Sequence, residues 1–546
     1  MNQLIEAKVN PVLTLKQLVD TVAGQYGESC AAIIKNHDDV RKITYGQFRL
    51  DVRNIAFSLR SRGITGKNIA IIGGLSYEWA ISFLAAVYSG NVAVPIDKDL
   101  SAIDMSDQMS RADIEAVFFD RACAKKLFGL QEIAAPKTAF CFDKLEGFEF
   151  IGSFLADKTA PGPEPEALPD AAAVLIFTSG TTGASKIVKL TNRNVCDDTF
   201  CCFLLLRDAI KPKDINIPVL PPHHMFCLTA NILTGLYFGV SFGFGGGIKS
   251  IAADFKYFQP QSLIAVPMIA SGMYKRIWTE AKKSGKEKLL KRAIKVSNIL
   301  RKLKIDLRKF LFRDILEYFG GNLKTIVSGG AFLEPELVIK YDELGIKLRN
   351  GYGITECSPV VACNTNKLNK PGSVGLIAPS PYCKTKIIDG EICISGSIVM
   401  SEYYKDPVST KDAFISGYYK TGDLGYIDED NCLYITGRKK NLIILADGNN
   451  ISPEDLEIHL EKIPLIKSVI VCAKKGAGNM VLAAKIFLDS DYIVKHDIHD
   501  AKEIINAELK KINVSLPPYK RIQQVEIVET DFQKTALGKI KRYLYS

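Results

Sequence analysis

The sequence predicts an α/β chain: two parallel βαβ-type units, a small antiparallel barrel-like unit, and a compact α+β segment at the C-terminus. Three observations carry that prediction. Between residues 14 and 120, strand-length apolar runs alternate with helix-period segments, the rhythm of a parallel sheet with crossover helices. The rhythm resumes beyond Lys158–Asp170 (KTAPGPEPEALPD), a linker rich in proline and acid. From Ser358 to about Tyr434 it gives way to short strands with many glycines and prolines. A chain of 546 residues is also too long for one core and suggests roughly three or four folding units.

In order, Leu15–Tyr26 has helical spacing, and ITYGQF (Ile43–Phe48) opens a second helix running to Gly63. Asn68–Ile72 reads as strand, Tyr77–Gly90 as helix, and Val92–Pro95 and Ala116–Phe119 as strands. In the second unit, Ala171–Phe177, Ile217–Leu220, Leu263–Val266 and Lys324–Val327 have strand character. Met225–Ile248 is apolar enough to resemble a membrane span, but it holds Asn231, two threonines and the glycines up to Gly247. A buried helix, a strand and a glycine turn are expected there.

Lys282–Arg313 is strongly basic. Its Leu289, Ala293, Val296, Leu300, Leu303, Leu307 and Phe310 recur at spacings of four and three, which puts them on one helical stripe. A packed helix pair with its lysines in water is one reading; weak peripheral contact with anionic headgroups is the other. Residues from about Asn441 onward form the α+β segment.

Composition narrows the function classes. Hydrophobic content of 47% with 24% charged residues is ordinary for a globular protein. The net charge of +10 suits phosphorylated ligands or an anionic membrane surface, and is too dispersed to indicate nucleic acid. Thirteen cysteines, with no Cys-x-x-Cys pair, fit reduced thiols better than a disulfide framework or a zinc site. MNQLIEAKVNPVLTLKQL lacks the basic-then-apolar pattern of an export signal, so a cytoplasmic location is expected.

The stretch richest in chemistry is Ala171–Lys186, AAAVLIFTSGTTGASK. A buried-strand run ends in Thr178, Ser179, Gly180, Thr181, Thr182 and Gly183, with Lys186 three places on. Hydroxyls, unshielded backbone N–H groups and one ammonium are what a polyphosphate needs around it. The Walker spacing is absent. An ordinary Ser/Thr/Gly turn after a strand is the plainer alternative.

Four further stretches follow: Asn350–Pro359 (NGYGITECSP), Tyr419–Asp428 (YKTGDLGYID), Gly437–Glu457 (GRKKNLIILADGNNISPEDLE) and Thr535–Arg542 (TALGKIKR). Together with the loop, in this order and spacing, they resemble the signatures of adenylate-forming enzymes. That group contains acyl-CoA synthetases, luciferases and nonribosomal peptide adenylation domains. ITYGQF and the Trp79–Pro95 segment extend the resemblance over nearly the whole chain. It implies a large N-terminal domain, residues 1–437, with subdomains of about 1–165, 166–357 and 358–437. A small mobile C-terminal domain, 438–546, would turn on a hinge at Lys440.

The implied reaction is attack of a carboxylate on the α-phosphorus of ATP, releasing pyrophosphate and leaving an acyl-adenylate; the thiol of coenzyme A then displaces AMP. A carboxylate is already ionised and needs no general base, so the protein must position two anions and neutralise charge. By resemblance, Lys539 bridges the carboxylate and the α-phosphate. Thr355 and the Thr181–Thr182 backbone complete the phosphate cage, and Glu356, with Thr178, holds Mg²⁺. Tyr352, among Asn350, Gly351 and Gly353, presents a ring on which a purine can stack. Asp423 accepts the ribose hydroxyls with Arg438 beside it. SGGAFL (Ser328–Leu333), including Gly330 and Ala331, walls the adenine and the acyl group. The loop ADGNNI (Ala446–Ile451), with Gly448, lines the thiol tunnel after rotation. A core tyrosine and an Asx-turn are the plainer readings of Tyr352 and Asp423.

His223 and His224, in PPHHMFCL, match the position where a ring gates the acyl pocket, and His224 is the catalytic candidate. Read as neighbours in a strand, they point opposite ways and cannot share a metal. Relatives that activate amino acids carry an aspartate where Cys227 follows Phe226, so an α-amino acid is disfavoured. Ser185, Ile187 and Gln533 depart from the usual motif residues but remove no reacting group. The expected substrate is a medium- or long-chain fatty acid. Delivery to a separate acyl carrier protein is the alternative, and a nucleotide-binding protein without turnover is an alternative of another class.

Overall fold

The computed structural model describes residues 11–36, 39–129, 136, 138–156, 164–178, 185–444, 450–475, 480–534 and 540–545. Two large sheets dominate it, and the α/β class is as predicted. In the first, Ala172–Phe177, Val92–Ile96, Asn68–Ile72, Ile114–Phe119, Thr138–Cys141 and Glu149–Phe150 run parallel. Ile187–Thr191 and then Glu402–Tyr403 add antiparallel at the edge beyond Ala172–Phe177.

The second sheet has two halves. Cys30–Asn36, Ser241–Phe244, Ile215–Asn216, Ser262–Ala265, Thr325–Ser328 and Lys347–Gly353 are parallel. Beyond Lys347–Gly353 the pairing turns antiparallel through Val360–Cys363, Gly375–Ile377, Cys432–Arg438, Tyr418–Ile427, Glu391–Ser395 and Lys384–Ile388. The expected antiparallel unit is therefore continuous with a parallel sheet through one strand whose two edges pair in opposite senses.

The sheets do not divide at residue 165. Cys30–Asn36 and Asp39–Thr44 join the second sheet, while Ala172–Phe177, expected to open a second unit, pairs with Val92–Ile96 in the first. The reason is burial. Ala173 to Ile176 are covered on both faces, and a strand so placed needs a partner at each edge.

Helices begin where the sequence supplies caps. Thr14, Thr44 and Ser76 accept backbone N–H bonds at the starts of Leu15–Tyr26, Tyr45–Ser61 and Tyr77–Tyr88, and Thr191 with Asn194 makes a full capping box before Asn192–Leu206. The apolar run from Met225 becomes a π-helix, Phe226–Leu233, then a short α-helix and the Ser241–Phe244 strand. Among the described residues no helix is long and apolar enough to cross a membrane.

The C-terminal part is a separate α+β core. Ile466–Lys475, Met480–Leu488 and Gln524–Val528 form its sheet, against which Leu456, Leu460, Ile505 and Leu509 pack from two helices.

The basic insertion departs from expectation. It folds as Pro267–Lys283, Glu287–Lys302 and Arg308–Leu311, but most of the predicted apolar stripe turns away from the core, Ala293 alone of it packing there. Leu289 is 64% exposed, Leu303 66% and Phe310 80%, with Val296 and Leu307 also exposed. The buried positions are Leu290 and Ser297. Polar bonds set this rotation: Arg301 pairs with Asp342 at 2.5 Å and Asn298 with Glu343 at 2.7 Å, clamping the helix onto Pro335–Glu343.

Candidate active site

The site lies at the carboxyl edge of the second sheet, where ligands of open α/β sheets gather. Thr325–Ser328 and Lys347–Gly353 are parallel neighbours with Ser328 opposite Asn350. Ser328 Oγ and Asn350 Oδ1 are both buried, and neither finds a partner among the described residues. Two such atoms side by side at a strand end fit a ligand with hydrogen-bonding edges, because leaving them unpaired costs free energy. Gly329, Gly330 and Ala331 follow directly, with Gly330 at φ +81°. Gly353 permits a close crossing: a Cβ there would sit 1.9 Å from the Pro359 carbonyl oxygen.

Tyr352, Asp423 and Arg438 come together as one unit. The Tyr352 hydroxyl donates to Asp423 Oδ2 at 2.7 Å, and Arg438 Nε donates to Asp423 Oδ1 at 2.7 Å. Asp423 and Arg438 face each other across the Tyr418–Ile427 and Cys432–Arg438 pair, so the sheet register builds the contact. Burial, then the Asp423 carboxylate, holds the Tyr352 phenol well above its ordinary range and keeps it a donor. Each Asp423 oxygen retains a second acceptor position for a ligand hydroxyl.

Glu356 and Lys186 are joined through a residue the sequence did not single out. Tyr403 donates its hydroxyl to Glu356 Oε1 at 2.9 Å, lies 3.1 Å from the Tyr419 hydroxyl, and carries Lys186 Nζ 4.6 Å from its ring centroid. The other Glu356 oxygen accepts no hydrogen bond from a described residue. That suits Mg²⁺, which takes one or two carboxylates together with phosphate oxygens and water. Among the described residues no group of three or more His, Cys, Asp or Glu side chains is placed to hold a metal alone.

The loop's two feet are closed by Thr178, whose N–H donates to the Lys186 carbonyl at 2.9 Å. Ser179, Gly180, Thr181, Thr182 and Gly183 lie outside the described residues, as do Gly448 and Lys539.

Thr355 and Glu356 sit in a single 3₁₀ turn, Thr355–Cys357, held from behind. Thr229 donates to the Ser358 carbonyl at 2.7 Å, and Asp198, buried in the helix Asn192–Leu206, accepts the Val360 N–H at 3.1 Å. Neither support was legible, because both join segments more than a hundred residues apart.

The histidines correct the strand reading. His223 and His224 occupy a turn before the π-helix, and their rings lie side by side, 4.2 Å between centroids. The turn removes the alternation that a strand would impose. His223 Nε2 is 3.6 Å from Asp97 Oδ2, while burial holds its pKa below the usual range. The next ring, Phe226, lies 3.1 Å from where a Cβ on Gly329 would stand, which joins this turn to the SGGAFL wall.

Toward the C-terminus, Lys440 lies in the 3₁₀ turn Lys439–Asn441 immediately after Arg438. Lys439 pairs with Glu391 at 2.7 Å. Arg542, at the end of the TALGKIKR segment, donates to Glu457 on the helix Pro453–Leu460. Burial outweighs that cation and pushes the Glu457 carboxyl up to about 7.

A family model described as AMP-binding enzyme matches residues 19–404. The chain is 27% identical to the long-chain-fatty-acid–CoA ligase FadD15 of Mycobacterium bovis, over 92% of this chain and 90% of that protein. An anthranilate CoA ligase, AuaEII, solved with anthranoyl-AMP, superposes with a TM-score of 0.78 at 16% identity, covering 98% of this chain and 97% of that one. ATP-bound MatB from Rhodopseudomonas palustris gives a TM-score of 0.76 at 21% identity, covering 97% and 98%. At these identities the two structures speak to the fold.

Proposed function

Because the chain belongs to the AMP-binding enzyme family, we propose that it is an ATP-dependent acid–thiol ligase acting on a medium- or long-chain fatty acid. The acid is joined to AMP with release of pyrophosphate, and its acyl group then passes to the thiol of coenzyme A. The carrying observation is the Tyr352–Asp423–Arg438 unit together with Ser328 Oγ and Asn350 Oδ1, two buried atoms on paired residues that find no partner among the described residues. It offers a ring, a fixed carboxylate and two open polar atoms within one sheet edge, the needs of an adenosine. The chain length rests on FadD15, a long-chain-fatty-acid–CoA ligase by name.

In this reading Asp423, already oriented by the Tyr352 hydroxyl and the Arg438 guanidinium, takes the ribose hydroxyls without reorganising. Glu356, aimed by Tyr403, and Thr178 hold Mg²⁺, which supplies charge neutralisation at the phosphates. Thr355, Lys186 and the 178–183 loop surround the polyphosphate. Lys539 bridges the two reacting anions during adenylation. Lys440 is the hinge about which residues 438–546 turn, withdrawing Lys539 and bringing Gly448 toward the incoming thiol. His224 gates the acyl pocket. The exposed apolar ridge on the basic helices is proposed to rest weakly on an anionic membrane surface.

Pyrophosphate release across a panel of acids, followed by coenzyme A against a phosphopantetheinylated carrier protein, tests the reading. Release with fatty acids and thioester formation on coenzyme A are expected. Acyl transfer only to the carrier would move the acceptor, and ATP binding without release for any acid would leave a nucleotide-binding protein.

A further inference from the structure

A cavity of about 260 Å³ opens between the helices Ile251–Phe258, Pro267–Lys283 and Arg313–Tyr318. Its walls are apolar, with Phe255, Met268, Met273 and Phe319 among them. Met268 is 59% exposed, so the cavity is a groove open to solvent. Its size is below the usual range for compact, drug-sized ligands, which favours a slender chain over a ring system.

Three features at one side of the groove are unexplained by folding. Gly272 lies within the Pro267–Lys283 helix, where glycine is a poorer choice than alanine, yet a Cβ added there would meet nothing within 4 Å. The room beside the helix is therefore kept by the sequence. Arg276, one turn further on, has no carboxylate partner among the described residues and lies 5.8 Å from the centre of the Tyr318 ring. The Tyr318 hydroxyl is buried and finds no hydrogen-bond partner among the described residues. An apolar groove that ends in an unpaired guanidinium and an unused hydroxyl complements one chemistry: a single alkyl chain with an anionic head.

The geometry points to a second binding site here, separate from the adenylating site, for a free long-chain carboxylate. The alkyl chain lies along Met268, Gly272 and Met273, and the carboxylate meets Arg276 and the Tyr318 hydroxyl. Guanidinium and carboxylate match as a fork, and the hydroxyl supplies the remaining donor.

The test is calorimetric titration of dodecanoate into the full chain whose catalytic site has been filled with dodecanoyl sulfamoyl adenosine, an unreactive stand-in for the acyl-adenylate. One further equivalent of dodecanoate should bind. Gly272→Phe, whose Cβ enters open space and whose ring occupies the groove, should abolish that binding, and Arg276→Gln should weaken it about tenfold. Both variants should bind the adenylate analogue and melt as the parent does. Dodecyltrimethylammonium, with the same chain and the opposite head, should not bind. Absence of further binding in the filled protein, or binding indifferent to Gly272→Phe, overturns the site while leaving the ligase reading intact. Failure of the analogue to bind would instead count against the ligase reading. Dodecanoate titrated into the unfilled chain then decides the groove by its response to Gly272→Phe.

Discussion

Asp423 is held from both sides: Tyr352 donates to one carboxylate oxygen and Arg438 to the other, each at 2.7 Å. The three side chains come from three strands, so the carboxylate is aimed before any ligand arrives. Such preorganisation lowers the ordering cost of binding.

The first prediction tests that arrangement. Tyr352→Phe removes one neutral donor to a buried carboxylate and should raise the KM for ATP roughly 5- to 30-fold, from a loss of about 1–2 kcal/mol. Asp423→Asn keeps the shape and loses the charge opposite Arg438, so its effect should be larger. Steady-state ATP titrations of pyrophosphate release measure both. A KM unchanged in Asp423→Asn would remove this unit from nucleotide binding.

Tyr403 supports the second. Its hydroxyl aims Glu356 and its ring carries Lys186, so Tyr403→Phe should disturb the Glu356 contact and spare the Lys186 one. The expected signature is a several-fold rise in the Mg²⁺ concentration giving half-maximal rate, with kcat at saturating Mg²⁺ nearly restored. Mg²⁺-dependent binding of a non-hydrolysable ATP analogue should weaken in parallel. Loss of kcat at all Mg²⁺ concentrations would instead assign Tyr403 to the fold.

What the sequence made legible follows the range of the interactions involved. Helix starts at Thr14, Thr44, Ser76 and Thr191 were readable because caps act over three residues. Tyr352, Glu356, Asp423 and Arg438 were readable as motif members, but not their contacts, which depend on sheet register. Tyr403 gave no local signal. It matters only because Glu402–Tyr403 pairs with Ile187–Thr191, more than two hundred residues away. The exchange of strands between the two sheets was hidden for the same reason: a strand's period tells which faces it buries, not which edge it seeks. In the basic insertion, spacings of four and three mark one helical stripe but not which face packs, and Asn298 and Arg301 fix a different face inward.

A third prediction concerns Lys539, given its role by the LGKIKR motif. Lys539→Ala should lower acyl-adenylate formation by at least two orders of magnitude, the scale of a lost transition-state contact. Thioester formation from supplied acyl-AMP should change little. Single-turnover measurements of each half-reaction decide it, and equal losses in both would refute the assignment.

The hinge gives a fourth. Lys440→Pro fixes φ near −65° in the turn after Arg438, and should leave ATP–pyrophosphate exchange largely intact while blocking transfer to coenzyme A. Turnover at the parental rate with coenzyme A would place the pivot elsewhere.

The last prediction concerns the basic helices. Leu289, Leu303 and Phe310 project into solvent beside Lys288, Arg292, Lys295 and Lys302, all exposed. Exposed apolar side chains set among cations suit an anionic bilayer, where each Lys or Arg near the surface contributes roughly 1 kcal/mol. Arg301 is excluded from the test because it pairs with Asp342, so its removal would disturb the fold. Vesicles rich in anionic lipid should co-sediment the parent at low salt and release it as screening shortens to about 8 Å near physiological ionic strength. Glutamine at Lys288, Arg292, Lys295 and Lys302 together should abolish the salt-sensitive part. Phe310→Ser should weaken the residual, salt-insensitive part without altering the salt dependence. A parent chain indifferent to anionic vesicles even at low salt would mean that this ridge meets a different surface, and the membrane reading would fall.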